Sequence, residues 1–366
     1  MTVQPTKRGT WTTRALGLAA LLALPAPSAH AASDRRLGTS GAPELMIAVG
    51  PRGSALGQSV ASDVHGAEAV YWNPAGLAGL EGTEALFSHT QYFADMKVNF
   101  VAVASHAGNL GTVGFGAKVL SVGDVIVTTE QAPEGTGEIF TPTFSVLGVS
   151  WGRAFTDRIN FGLTVNYVNE HIETMSATGM ALDFGVQYQT GWRGMNLAMT
   201  VKNIGNSMSY DGSGLDLSVL PPGFEPAASN RIVQFTTAAF EMPSYFSLAA
   251  GYDAWSEAAN VVQLKASFAS NNFGGDNIAG GVEWTYQKQY SLRGSWFGTM
   301  TNATDVRTGD ESTTFDSGDD LYSGFALGGG FKVRSGDTQR LGVDLTWRPS
   351  REPFDDVIEV GLTWAF

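Results

Sequence analysis

The sequence predicts an all-β protein: a transmembrane antiparallel β-barrel of about 14 strands with a short N-terminal hatch segment. Three observations predict it. Charged residues make up 16% of the 366-residue chain and hydrophobic ones 43%, yet after residue 31 no apolar run approaches the ~20 residues a spanning helix needs. From Thr83 onward, segments of roughly ten residues alternate apolar and polar side chains between turn residues. The chain also ends on an aromatic strand, Leu362-Thr363-Trp364-Ala365-Phe366.

The N-terminus reads as a signal peptide over residues 1–31. Lys7, Arg8 and Arg14 form a basic region, Ala15 to Leu24 a short apolar one, and Ala29-His30-Ala31 offers small residues for cleavage. Cleavage there removes three positive charges and no acid, taking the formal net charge from −13 to −16. That acidity argues against a nucleic-acid partner. The chain has no cysteine, which excludes disulfides, thiol catalysis and Cys-ligated metals.

Residues 32–82 are rich in Gly and Ala and lack a period of two. They form the hatch segment of the predicted organisation, and 83–366 the barrel. The last segment shows the barrel logic. Ile358, Val360, Leu362, Trp364 and Phe366 share one face, while Val357, Glu359, Gly361, Thr363 and Ala365 share the other. Leu341, Val343, Leu345 and Trp347 likewise oppose Gly342, Asp344, Thr346 and Arg348. The segments from Ile159 and from Met180 repeat the pattern.

A soluble β-sandwich also alternates. The barrel is favoured because charges keep to one face, as hydrocarbon on the other enforces. It is favoured too by aromatics near segment ends (Tyr167, Tyr188, Trp192, Trp284, Trp347, Trp364), where interfacial girdles form. Asp183, Lys265, Arg293, Asp344, Arg348 and Glu359 are then the lumen-facing charges, paired across the interior because buried charges need partners.

The predicted strands are 83–91, 97–106, 111–121, 143–154, 158–169, 178–190, 195–203, 244–252, 259–268, 277–287, 289–298, 322–331, 338–348 and 356–366. Long connections (122–142, 204–243, 299–321) follow odd-numbered strands. With both ends of the barrel chain in the periplasm, all of these fall outside the cell, as barrels place them. The acidic 299–321 loop fits no EF-hand spacing and reads as solvated.

The candidates for chemistry are few. No HExxH or GxSxG pattern occurs. His89, at a strand end, is the best general base, with lumen acids as its possible partners. The sequence predicts no enzyme, no cofactor and no metal site. Outer-membrane lipid and the barrel-assembly machinery are the expected partners, with Trp364 and Phe366 as the C-terminal assembly signal.

Ahead of the barrel stands Gly50-Pro51-Arg52-Gly53-Ser54-Ala55-Leu56-Gly57, then Ala61-Ser62-Asp63 and Tyr71-Trp72-Asn73-Pro74-Ala75-Gly76-Leu77. This resembles the N-terminal signature of the PorV/PorQ family, relatives of the FadL-type outer-membrane transporters. The chain departs from that pattern at Val64-His65, where a second acidic residue would be expected. Asn73-Pro74 suits a turn, since proline disfavours helix before it and Asn bonds its own backbone. The resemblance implies a hatch folded into the lumen of a fourteen-stranded outer-membrane barrel. It also implies a type IX secretion-type role, with outer loops contacting C-terminal domains of secreted cargo or translocon subunits. The alternative is FadL-like transport of hydrophobic small molecules.

Overall fold

The computed structural model describes residues 39–366 except 220–230, 258, 305–310, 317–323 and 336–338. The expected signal peptide, residues 32–38 of the hatch segment, and Asp305, Asp310, Asp319 and Asp320 of the acidic loop lie outside the described residues.

Fourteen strands form the wall: β1 Thr83–Gln91, β2 Lys97–His106, β3 Thr112–Ser121, β4 Thr143–Ala154, β5 Ile159–Ile172, β6 Met175–Gln189 and β7 Asn196–Gly205, then β8 Tyr245–Glu257, β9 Asn260–Asn271, β10 Asp276–Tyr286, β11 Tyr290–Thr304, β12 Phe325–Ser335, β13 Gln339–Arg348 and β14 Val357–Ala365. Each pairs antiparallel with its sequence neighbours. β1 pairs with β14 from Glu84↔Ala365 to Gln91↔Ile358, which closes the sheet into a barrel. Phe366 and Thr83 seal the seam with two backbone hydrogen bonds, at 2.9 and 3.0 Å. Closure leaves no unpaired edge, the condition for strands in hydrocarbon.

Side-chain burial is inverted relative to a soluble protein. Phe115, Val149, Leu292 and Leu345 are about half exposed (48%, 56%, 58% and 51%), while Lys118, Asp183, Lys265, Glu283, Arg293 and Glu359 on the other face are buried. Apolar groups exposed around the whole circumference are stable only against lipid. The protein is therefore a bacterial outer-membrane barrel.

Several strands run longer than their alternation predicts. β5 and β6 continue past the apolar band, pairing His171 with Ser176, to a tight turn at Glu173-Thr174, where Glu173 takes φ 54°. Beyond the bilayer, backbone pairing persists while the demand for an apolar face ends. The 122–142 stretch carries a small hairpin, Val125–Ile126 with Ile139–Phe140. The 204–243 stretch carries another, Asp216–Val219 with Arg231–Gln234.

The register of the wall shifts between Asp253 and Trp255 of β8, and a bulge lies opposite Asp183. Leu182 pairs with Ile204 but Phe184 with Val201, so β7 holds an extra residue opposite Asp183. Lys202 and Asn203 are consequently both buried, and Asn203 adopts φ 60°. Such a bulge re-aims side chains, and here it turns a second polar group into the lumen.

Candidate functional site

Residues 39–82 thread the barrel. Gly41 N–H donates to Glu241 O at 3.0 Å at the end bearing the long loops, and His106 N–H donates to Gly82 O at 2.9 Å at the end bearing the short turns. Between them lie one-turn helices: Pro43–Leu45, Pro51–Ala55, Gly66–Glu68, Ala69–Trp72 and Pro74–Gly79. Their brevity follows from the sequence. Pro43, Pro51 and Pro74 start helices, while Gly50, Gly57 and Gly66 at positive φ break them. The result is a compact hatch whose Val49, Ala55, Leu56, Val60, Ala67 and Leu77 have no exposed surface.

All six residues of the Tyr71-Trp72-Asn73-Pro74-Ala75-Gly76 motif are used in seating the hatch. The Tyr71 hydroxyl donates to Ile47 O at 2.9 Å. Its ring lies 3.9 Å from the Lys202 ammonium and 4.6 Å from that of Lys118, and Lys202 donates to Tyr71 O at 2.6 Å. Trp72 packs so tightly on Gly53 that a Cβ there would come within 2.3 Å of the indole. Asn73 caps the last helix, accepting from Ala75 N–H at 3.1 Å, and donates to Ala61 O at 2.8 Å. Pro74 sits in a slot of wall glycines: a Cβ on Gly162 would fall 2.1 Å from Pro74 C, and one on Gly152 2.6 Å from Pro74 O. A Cβ on Gly76 would fall 2.1 Å from Val64 O, so only glycine fits there.

Opposite the motif, an ion network ties hatch to wall. Arg52 of the hatch grips Glu283 of β10 with two hydrogen bonds, Nε to Oε1 at 3.1 Å and Nη2 to Oε2 at 2.8 Å. It also meets Asp63 of the hatch at 2.8 Å. Lys265 of β9 pairs with Asp63 and lies 3.6 Å from Glu283. Arg293 of β11 reaches Glu283 at 2.7 Å and Asp344 of β13 at 2.5 Å. Three cations thus face three anions, away from water. Burial alone would raise the Asp63 carboxyl, but Arg52 and then Lys265 outweigh it and hold the group below its ordinary range.

The other lumen charges bind hatch backbone or wall. Glu359 accepts from Gly50 N–H and from the Ser88 hydroxyl, both at 2.6 Å, and interacts electrostatically with Arg348 on the neighbouring strand. Asp183 accepts from Asn203 N–H at 2.7 Å and from Asn166 at 2.9 Å. Gln187 donates to Ala61 O and Val64 O at 3.0 and 2.9 Å. Sequence reasoning placed Gln187 on the polar face of its strand but passed over Arg52, Asp63, Glu283, Lys118 and Lys202 as lumen groups. Glu283 lies on the polar face of its strand, so alternation alone was enough to find it.

His89 is turned away from all of these acids. It lies on the outward face of β1, bonded to Asn99 at 2.8 Å, and its register partner Val360 also faces lipid.

Little free volume remains beside the hatch. A cavity of about 30 Å³ on its outer side, lined by Leu45, Tyr71, Phe100, Lys118, Asp183 and Lys202, has room for roughly one water. Two others measure about 40 and 50 Å³. By contrast, a vestibule of about 420 Å³ opens at the short-turn end, between Leu80, Glu81 and Glu84 and the wall residues Lys332, Arg340 and Phe366.

No protein-family model and no curated protein sequence matches the chain. Solved structures do. The chain is similar to the CymD monoaromatic hydrocarbon channel, with a TM-score of 0.54 at 12% identity over 87% of this chain and 97% of that one. It is also similar to a mutant of the TodX monoaromatic hydrocarbon channel, with a TM-score of 0.52 at 11% identity over 86% and 97%. The Pseudomonas putida toluene transporter TodX gives a TM-score of 0.50 at 12% identity over 85% and 97%. At such identities the likeness is one of fold: a closed antiparallel β-barrel of fourteen strands with a short N-terminal helical segment.

Proposed function

We propose that the protein is a hatch-gated outer-membrane channel for hydrophobic small molecules. The observation that carries this reading is the seated hatch: residues 39–82 fill the lumen, leave water-sized cavities there and keep an open vestibule on the periplasmic side. A barrel plugged in this way excludes bulk polar solutes until the plug shifts. The known channels with which it shares a fold are described as carrying monoaromatic hydrocarbons or toluene. The test is uptake of radiolabelled toluene by porin-poor bacterial cells with and without the protein. Faster uptake of toluene, but not of a charged sugar, supports the reading. Uptake equal to that of empty-vector cells overturns it.

The exported-protein role implied by the PorV/PorQ resemblance rests on the Tyr71–Gly76 motif. The contacts that role implies lie on the outer loops, and the channels with which the chain shares its fold are described as carrying monoaromatic hydrocarbons or toluene, so support for this role is weaker. Isolation from membranes with secreted proteins sharing one C-terminal β-domain would restore it.

A further inference from the structure

The outer end of the hatch holds a pair of acids whose bonding is one-sided. Glu44 lies in the Pro43–Leu45 turn and is 1% exposed. Neither of its carboxyl oxygens has a hydrogen-bond partner. Against it stands Glu170 of β5, 2% exposed, whose charge acts on Glu44 and which binds Ala42, two residues before it. Glu170 is well supplied with donors. Ala42 N–H reaches Oε1 at 3.0 Å, and the Tyr210 hydroxyl donates to Oε2. Around them pack Ala42, Leu45, Val168, Met208, Met242 and Phe240. The nearest cation, Lys118 of β3, spends its ammonium on Leu45 O and Ile47 O at 3.4 and 3.1 Å.

Two ionised carboxylates cannot share such an apolar site without a large cost. Glu170 accepts at both oxygens and has the bonding of the anion. Glu44 accepts from no other residue and has the bonding of the acid.

We propose that Glu44 is protonated and donates to Glu170, so that this carboxyl pair is a pH-sensitive latch holding the outer end of the hatch to β5 and to Met208, Tyr210, Phe240 and Met242. The groups facing Glu44 are Glu170 from β5, Lys118 from β3 and Tyr210 from the 204–243 stretch. Burial first, then the Glu170 charge, raise Glu44 from its ordinary 4.5 to about 7, Lys118 opposing only in part.

The sign follows from that direction. A released Glu44 has its ordinary affinity for the proton and a latched one binds it more tightly, so release gives up a proton. Latching is full below about pH 4.5, weakens as pH rises through the window up to about 7, and is flat above it. The consequence for passage, easier opening toward neutral pH, rests on the channel reading above.

The experiment reads the hatch itself and does not need a transported solute. Backbone hydrogen exchange over residues 39–49 of the full-length mature barrel in micelles is compared at pH 5 and 7.5, corrected for intrinsic exchange. Wild-type protection should fall on the order of 50-fold across that interval. Glu44→Gln, which keeps a donor to Glu170 but cannot ionise, should hold protection within about threefold. Glu68 of the hatch, also raised to about 7 by burial, lies outside residues 39–49 and is the same in both proteins, so the difference between their profiles reports Glu44. If Glu44→Gln does not yield a heat-modifiable barrel, Glu170→Gln takes its place: it removes the neighbouring charge but not the burial of Glu44, and should make the profile shallower than the wild type without flattening it. Flat wild-type protection overturns the proposal, as does a variant profile as steep as the wild type.

Discussion

Hatch and wall obey opposite rules about what an apolar residue means. In the hatch, Val49, Leu56, Val60 and Leu77 are apolar and wholly buried. In the wall, Phe115, Leu292, Leu327 and Leu345 are apolar and about half exposed, while Lys265, Glu283 and Arg293 are buried. The hatch is a miniature globular core whose surroundings are the polar inner face of the barrel. The wall is a sheet whose surroundings are lipid outside and hatch inside. The lesson is that one chain can carry two hydrophobic codes, and the boundary at Gly82–Thr83 is where they switch.

That contrast can be broken most strongly at its ionic joint. Glu283→Gln leaves Arg52, Lys265 and Arg293 short of an anion in a water-poor space, and should cost about 3–5 kcal/mol. The loss should appear as a lower guanidinium midpoint in micelles and faster exchange of residues 50–64. On the lipid face, Val343→Arg should cost about 2–4 kcal/mol. Here the midpoint should drop while exchange in the hatch stays at its wild-type rate, because Val343 touches lipid and not the plug. Gly162→Ala forces a Cβ against the Pro74 backbone, and should cost about 1–3 kcal/mol of overpacking. It should speed exchange at residues 73–79 and spare β5 away from the slot. The smallest effect belongs to Asn73→Ala. The helix cap is lost, but Gln187 still serves Ala61 O, so about 1 kcal/mol of hatch protection should disappear.

The wall was legible because lipid imposes a period of two on nearly every strand. Ile358, Val360, Leu362 and Trp364 announce one face, and strict parity of short and long connections fixes the count at fourteen strands. Strand ends were less legible, since pairing such as His171↔Ser176 continues after the apolar pattern stops. The hatch was visible as a segment without a period and through the resemblance carried by Tyr71–Leu77, but its seating was not. Its contacts join residues far apart in sequence, and nothing local in Arg52 or Gly162 says which partner waits. The bulge at Asp183 was hidden for a related reason. Its evidence is that adjacent Lys202 and Asn203 face the same way, which simple alternation forbids.

The distance in sequence between the hatch and its partners has a consequence for biogenesis. Arg52 bonds to a residue 231 positions later, and Gly50 to one 309 positions later. The plug leaves the ribosome well before its binding partners do. It must wait, chaperoned and unsatisfied, until β10 to β14 exist and the seam at Phe366 can close around it. Long-range contacts of this kind are slow to form. The plug therefore completes its contacts only as the barrel closes, late in the order of assembly.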